Sequence, residues 1–171
     1  MPPPRQAFDS QKASVQCMGQ TKKGERCRRR TTRSPYCYFH LKSVEHLEIK
    51  KSTIPGAGMG LFTTIARKKN ARITLYDKTM ENRDPDYGGE YVVRVNDHTV
   101  ANPYRTTDSA GRYANSVRKG KRNQGLTNGG LGYSAQKKEV FVKSLNKGIP
   151  AGREIKATYG HDAERMYWSY Q

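Results

Sequence analysis

Three cysteines and one histidine in a short basic segment restrict the fold of this chain more than any other feature. Cys17, Cys27, Cys37 and His40 are separated by nine, nine and two residues. The residues between them are rich in Lys, Arg, Thr and Gly, so the segment cannot build a hydrophobic core of its own. Three soft thiolates and one imidazole suit tetrahedral zinc, and metal binding worth about 10 kcal/mol can replace a core. The spacing therefore predicts a structural zinc module over residues 16–44.

Other interpretations of this segment stay open. Three cysteines within the first 40 residues do not suit a disulfide framework, but they could also be reduced, unliganded thiols in an unstructured arm. The sequence CMGQTKKGERC at residues 17–27 resembles small zinc modules with the motif C-x-G-x-T-K-x-G-x-R-C. Such a module could bind nucleic acid, bind a protein partner, or only brace the domain that follows it.

The charge of the chain is strongly positive. It carries 32 Lys and Arg against 15 Asp and Glu, a net charge of +17, and residues 1–50 alone carry 11 against 4. A surface of this kind attracts polyanions, so we expect contact with nucleic acid or nucleosomes; a surface that is merely soluble and weakly adhesive is the alternative. No apolar run reaches the roughly 18 residues that a membrane helix needs. The first ten residues lack the apolar stretch of a signal peptide, so we expect an intracellular protein without a membrane partner, and its charge is compatible with the nucleus.

The texture of residues 45–171 predicts one β-rich α+β domain. Residues 1–15, with three consecutive prolines, are predicted to be disordered. Helices are predicted only over 110–117 and 161–170, and residues 118–132 are predicted to form a long loop. Short β-type runs between turn residues predict strands at 47–49, 72–76, 91–95, 139–145 and 154–158.

Three motifs follow one another within this domain. The first is KSTIPGAGMGLF at residues 51–62, the second is GRYANS at 111–116, and the third is VFVKSLNKGIPAGREIKATYG at 140–160. In this order they resemble the SET-domain protein-lysine methyltransferases, in particular minimal SET proteins of viruses and microbes. The resemblance implies short antiparallel sheets, a C-terminal pseudoknot, and S-adenosylmethionine as cofactor with S-adenosylhomocysteine as product.

The resemblance also implies roles for individual residues. Tyr159 corresponds to the catalytic tyrosine, and Tyr91 opens the strand that borders the lysine channel. Gly58 and Gly60 lack the Cβ that would keep the main chain away from the methionine moiety of the cofactor. Tyr76 and Tyr91 are equally well explained as core residues. The full set of implied cofactor contacts is Gly58, Met59, Gly60, Tyr76, Arg112, Tyr113, Asn115, Ser116, Tyr167 and Trp168.

These roles lead to an expected function, protein-lysine N-methyl transfer, with histone as the favoured substrate. The reaction requires a neutral lysine amine aligned with the methyl group, and a tyrosine hydroxyl with main-chain carbonyls can orient it. The histidine that usually follows the asparagine of the second motif is absent after Asn115. The alternative is therefore a catalytically inactive SET fold that acts as a basic chromatin or nucleic-acid binding module.

Overall fold

The β-rich class predicted from the sequence is confirmed. A computed structural model describes residues 14–88, 91–103, 107–116 and 127–158. Within these ranges the chain forms many short strands and few helical turns, together with a Cys3His cluster. No helix in these ranges is long and apolar enough to cross a membrane. The pseudoknot stays a prediction.

The N-terminal module has little regular structure. Strands β1 (Val15–Gln16) and β2 (Arg30–Thr31) pair in antiparallel fashion. A short α-helix, α1 (Tyr38–His40), continues as a single π-helical turn over Leu41–Glu45. His46 ends this turn in the left-handed conformation, with φ of 56°. Residues 1–13 of the predicted disordered segment 1–15 lie outside the described residues, and its last residue, Val15, belongs to β1.

A hairpin connects the module to the main sheet. Strands β3 (Leu47–Lys51) and β4 (Met59–Thr63) are antiparallel, and residues 52–58 of the glycine-rich first motif form the loop between them. Leu47 and Ile49 are buried and alternate with more exposed residues, as expected for a half-buried strand. The hairpin thereby fixes both ends of the first motif.

The main sheet is mixed and has six strands in the order β10-β8-β9-β5-β7-β6. All neighbours are antiparallel except β10 and β8, which are parallel. The strands are β5 (Arg72–Glu81), β6 (Val93–Asn96), β7 (Thr99–Ala101), β8 (Gly129–Ser134), β9 (Glu139–Ser144) and β10 (Ala157–Thr158).

The long strand β5 curls this sheet. Its register against β9 shifts between Arg72 and Thr74 and again between Leu75 and Asp77. Such irregularities bend a strand and increase its twist. The first part of β5 therefore pairs with β9, whereas its last residues, from Thr79, pair with β7.

One apolar cluster fills the concave side of these elements. Tyr76, Leu47, Leu61, Val140 and Val142 are fully buried in it. In β9 the valines alternate with half-exposed Phe141 and Lys143, which gives the strand one face in the core. The cluster extends through every part of the domain that the structure describes, so burial of apolar area holds it together.

Four of the five predicted strands correspond to β3, β5, β6 and β9, whereas β4, β7 and β8 were not predicted. Three other predictions differ from the structure. Only residues 157–158 of the predicted strand 154–158 pair as a strand, and Glu154 forms an isolated bridge with Phe62. The predicted loop 118–132 is wrong at its end, because residues from Gly129 belong to β8; at Gly132 a Cβ would overlap the ring of Phe141. The helix predicted over 110–117 is wrong, because over its described residues, 110–116, the helical part is a 3-10 turn at Gly111–Tyr113. The helix predicted over 161–170 lies outside the described residues.

Candidate functional site

The four predicted metal ligands meet in one cluster. Their ligand atoms, three Sγ and one imidazole nitrogen, all lie within 4.8 Å of one another. The Sγ atoms of Cys17 and Cys37 each lie 3.4 Å from Nδ1 of His40. The donors of a tetrahedral zinc ion are separated by roughly 3.5–4 Å, given bonds of about 2.0–2.3 Å. Cys17, Cys27, Cys37 and His40 therefore form a buried potential metal site that is consistent with zinc.

Hydrogen bonds around the cluster orient its ligands. Nε2 of His40 donates to the carbonyl oxygen of Gln20 at 2.7 Å, which leaves Nδ1 to face the thiols. The backbone N–H groups of Gly19 and Cys37 donate to Sγ of Cys17 at 3.3 and 3.1 Å. A Cβ at Gly19 would overlap the imidazole of His40, so only glycine fits there. The donor set and its surroundings suit a structural ion.

The thiols of the metal-free cluster differ in acidity. Burial raises the pKa of Cys17, although N–H groups of Cys37 and Gly19 act against it. Burial also acts on Cys37, but hydrogen bonds with the backbone and imidazole of His40 lower the pKa of Cys37 to about 7. The contact with Cys37 in turn raises the pKa of His40. Because zinc ligands are deprotonated, metal binding at this cluster must release protons.

The three motifs of the main domain meet at one junction. The N–H of Ile155 donates to the carbonyl oxygen of Leu61 at 2.7 Å, and the N–H of Ala157 donates to that of Asn115 at 3.0 Å. The side-chain amide of Asn115 donates to the carbonyl oxygen of Met59 at 3.0 Å. The glycine-rich loop, the GRYANS segment and residues 154–158 are therefore in direct contact, although they are far apart in sequence.

Glu154 organises this junction, and sequence reasoning assigned it no role. Its side chain is buried, and Oε1 accepts hydrogen bonds from the hydroxyl of Ser52 at 2.5 Å and the amide of Asn115 at 3.3 Å. Oε2 accepts from the backbone N–H of Thr53 at 2.8 Å and from the Thr53 hydroxyl. Burial acts to raise the pKa of Glu154, but these donors lower it overall. The one signal in the sequence is that Glu154 is the single acid between residues 143 and 156.

The two glycines predicted to admit the cofactor have different surroundings. Gly58 has a φ of 71°, and a Cβ placed on it would meet nothing within 4 Å. Gly60 is buried, and a Cβ there would overlap the carboxylate of Glu154 and lie 3.3 Å from Nδ2 of Asn115. Close packing against Glu154 therefore explains why residue 60 is glycine. At Gly58, by contrast, the backbone is accessible to a ligand.

The two candidate tyrosines of the first half contact each other. Tyr76 in β5 is fully buried, and its hydroxyl donates to the carbonyl oxygen of Tyr91 at 2.7 Å. Ser109 donates to the carbonyl oxygen of Tyr76 at 2.6 Å. The burial of Tyr76 agrees with the core interpretation, and its hydroxyl fixes the half-buried Tyr91 at the entry to β6.

Arg112 connects the second motif to the metal module. Its Nη2 donates to the carbonyl oxygen of Thr32 at 3.2 Å and to the hydroxyl of Tyr113 at 3.1 Å. The guanidinium carbon lies 4.9 Å from the centre of the Tyr113 ring. Its Nε is buried and has no hydrogen-bond partner among the described residues. Ser116 is exposed, and its backbone forms a parallel bridge with Ala157.

The structure thus brings together Gly58, Met59, Gly60 and Asn115, and places Tyr76 and Tyr91 in a second contact. Tyr159, Tyr167 and Trp168 lie outside the described residues. The sequence matches no protein-family model and no curated protein at a significant level. A functional assignment for this chain therefore depends on its own residues and their geometry.

Proposed function

We propose that the chain is an S-adenosylmethionine-dependent protein-lysine N-methyltransferase of the SET type. The observation that supports this proposal is the junction of its three motifs around Asn115. A site for two reactants needs a rigid frame, because alignment of the reacting groups contributes several kcal/mol to catalysis. The hydrogen bonds from Asn115 to Met59 and from Ala157 to Asn115 supply such a frame.

Two features of the first and second motifs suit a small polar cofactor. Gly58 offers backbone without a side chain above it, and Arg112 retains one buried N–H donor. Together with Tyr113 and Ser116, they are the residues that we propose to hold S-adenosylmethionine. When bound, the cofactor supplies a methyl group on a positive sulfonium centre.

In this proposal, tyrosines of the chain orient the amine of the substrate lysine. We assign the catalytic role to Tyr159 and place Tyr91 beside the lysine channel. Tyr167 and Trp168 are proposed to close that channel. A hydroxyl that accepts from the neutral amine directs its lone pair toward the methyl group. The zinc ion takes no part in this step and serves the N-terminal module. Histone in nuclear chromatin is the favoured substrate. The net charge of +17 attracts the DNA on which histones are assembled.

A second candidate is a catalytically inactive SET fold that serves as a basic binding module. The observation that favours it is the amide of Asn115, which already donates to Met59 and to Glu154. An asparagine engaged in this way has less capacity left for a cofactor. Direct titration with S-adenosylmethionine separates the candidates, because only the enzyme binds it.

The test of the proposed enzyme is transfer of labelled methyl groups to recombinant core histones and to a cell lysate. Replacing Tyr159 with phenylalanine (Tyr159→Phe) should lower the rate about 100-fold or more, as expected for loss of a positioned hydroxyl. Tyr87→Phe is the matched control, because the Tyr87 hydroxyl contacts only Asn102 among the described residues.

Three outcomes are distinct. Labelling that falls only in Tyr159→Phe supports the enzyme and identifies the substrate band. Equal labelling in all three proteins contradicts the role of Tyr159. If folded, zinc-loaded protein neither labels a substrate nor binds the cofactor, the result supports the second candidate, a catalytically inactive binding module.

A further inference from the structure

The metal module carries an exposed aromatic surface, formed by Tyr38 and Phe39 of α1. Their side chains are 55% and 57% exposed. The ring centres lie 5.6 Å apart, and the rings are almost perpendicular, at 86°. Adjacent exposed aromatic side chains on so small a module indicate an interaction surface rather than a core.

Cations border this aromatic surface. The guanidinium carbon of Arg29 lies 4.3 Å from the centre of the Phe39 ring. On the Tyr38 side, Lys42 and Lys50 form ion pairs with Glu48 at 2.8 and 3.3 Å. Glu48 also accepts a hydrogen bond from the Tyr38 hydroxyl at 3.1 Å. The border therefore contains three cations, of which two pair with Glu48 and Arg29 lies over Phe39, so it keeps a positive charge.

The same module contains four further cations close in sequence to Tyr38 and Phe39. All four are exposed, and none has an ion-pair partner among the described residues: Lys22, Lys23, Arg28 and Arg33. A partner that matches this border must carry repeated negative charge. The exposed rings require, in addition, flat groups that can stack on them.

Single-stranded nucleic acid combines these two properties. Its unpaired bases stack on aromatic rings and on guanidinium planes, and its phosphates attract Lys and Arg. In a duplex the base faces are already covered, so duplex binding would use only the charges. An acidic protein would also use only the charges.

We propose that the aromatic surface of the zinc module binds single-stranded nucleic acid. A base stacks on the Phe39 and Arg29 pair, and the phosphates lie toward Lys42 and Lys50. This function is independent of methyl transfer, because Tyr38 and Phe39 belong to no proposed cofactor or lysine contact. It gives the module a role beyond bracing the main domain.

The test uses the full, zinc-loaded chain and fluorescence anisotropy. The probes are single-stranded DNA and RNA of about 12 nucleotides, the same DNA as a duplex, and polyglutamate, each titrated over a range of salt. Phe39→Leu removes the ring but keeps an apolar side chain, and Arg29→Gln removes the stacked cation. Matched controls outside the module are Met80→Ala for an exposed apolar side chain and Lys147→Gln for an exposed charge.

The expected result is selective for the single strands. Phe39→Leu should weaken their binding roughly 5- to 150-fold at every salt concentration, the range for one stacked base. Its salt slope should stay unchanged, because the stacked ring contacts no phosphate. Arg29→Gln should also weaken single-strand binding, because the base then loses the stacked guanidinium. Duplex and polyglutamate binding should not change in Phe39→Leu, and both controls should bind as the parent does. Preference between the DNA and RNA probes then identifies the strand that the surface takes.

Two results would overturn the proposal. One is unchanged single-strand binding by zinc-loaded Phe39→Leu, and the other is an equal loss for duplex or polyglutamate. Zinc content is measured for each variant. If Phe39→Leu loses zinc, Tyr38→Leu, which removes the other ring of the surface and no charge, decides the matter by the same criterion.

Discussion

The metal module and the β-domain reach a fixed structure by different means. The buried cluster of the module consists of Cys17, Cys27 and Cys37, with Tyr36 packed against it. The β-domain instead buries large apolar side chains such as Leu47 and Leu61 from several strands. A few thiols bury too little area to offset the entropy of an ordered chain. One region therefore depends on an ion for its structure, and the other depends on apolar packing.

The largest effect should come from removing the ion. A chelator should unfold residues 16–44, because structural zinc contributes about 10 kcal/mol to modules of this kind. The β-domain should stay folded, since its core contains no metal ligand among the described residues. Hydrogen exchange read by mass spectrometry follows both regions in one sample.

A variant in the apolar core tests the opposite case, in which the β-domain is weakened and the metal module is left intact. Leu61 is fully buried, so Leu61→Ala should lower the free energy of unfolding of the β-domain by about 2–5 kcal/mol. Zinc affinity should remain that of the parent protein. If a chelator increased hydrogen exchange equally in both regions, this would contradict the division between a metal-dependent module and an independently packed β-domain.

A smaller effect is expected at the buried carboxylate of the β-domain. Glu154→Gln replaces an acceptor of four hydrogen bonds by an amide with a single acceptor oxygen, and should cost about 1.5–3 kcal/mol at neutral pH. The pKa of Glu154 is lowered in the folded state, so its stabilising contribution is present above the ordinary glutamate pKa. It is lost as the pH falls through the lowered pKa.

Chemical denaturation of parent and variant between pH 7 and pH 3 measures this dependence. The difference in free energy of unfolding should be constant at neutral pH and shrink in acid. Glu81→Gln is the control, since Glu81 is exposed and pairs only with Arg83 at 3.0 Å. A difference that grows in acid would show that Glu154 is destabilised by its burial.

The two regions also differ in what their sequences revealed. The metal cluster could be predicted completely, because ligand type and spacing alone specify it and no distant residue takes part. In the β-domain, short runs of β-type residues allowed strands such as β9 to be predicted, and β9 shows the alternating burial expected of a strand. Strand β8 was not predicted, because its three glycines look like a loop and only their packing against β9 makes them a strand.

The junction of the three motifs was predictable only in part. The sequence indicated Gly58, Gly60 and Asn115, but it gave no reason to connect them with Glu154. That connection depends on the bridge between Glu154 and Phe62, a contact across the chain that no local pattern encodes. Polar residues at such long-range contacts become visible only when the chain is folded.

The smallest effect concerns the contact between the two regions. Arg112 donates to the carbonyl oxygen of Thr32, a neutral hydrogen-bond acceptor, so its loss should cost about 0.5–1.5 kcal/mol. Arg112→Lys keeps the charge but loses the planar group that also lies over the Tyr113 ring. We expect a zinc affinity that is lower by a few fold, because the module then folds with one contact fewer, while the unfolding of the β-domain changes little. Competition with a zinc-binding dye measures the affinity, and Arg83→Lys is a control in an exposed ion pair. An unchanged affinity would mean that this hydrogen bond does not couple zinc binding to the β-domain.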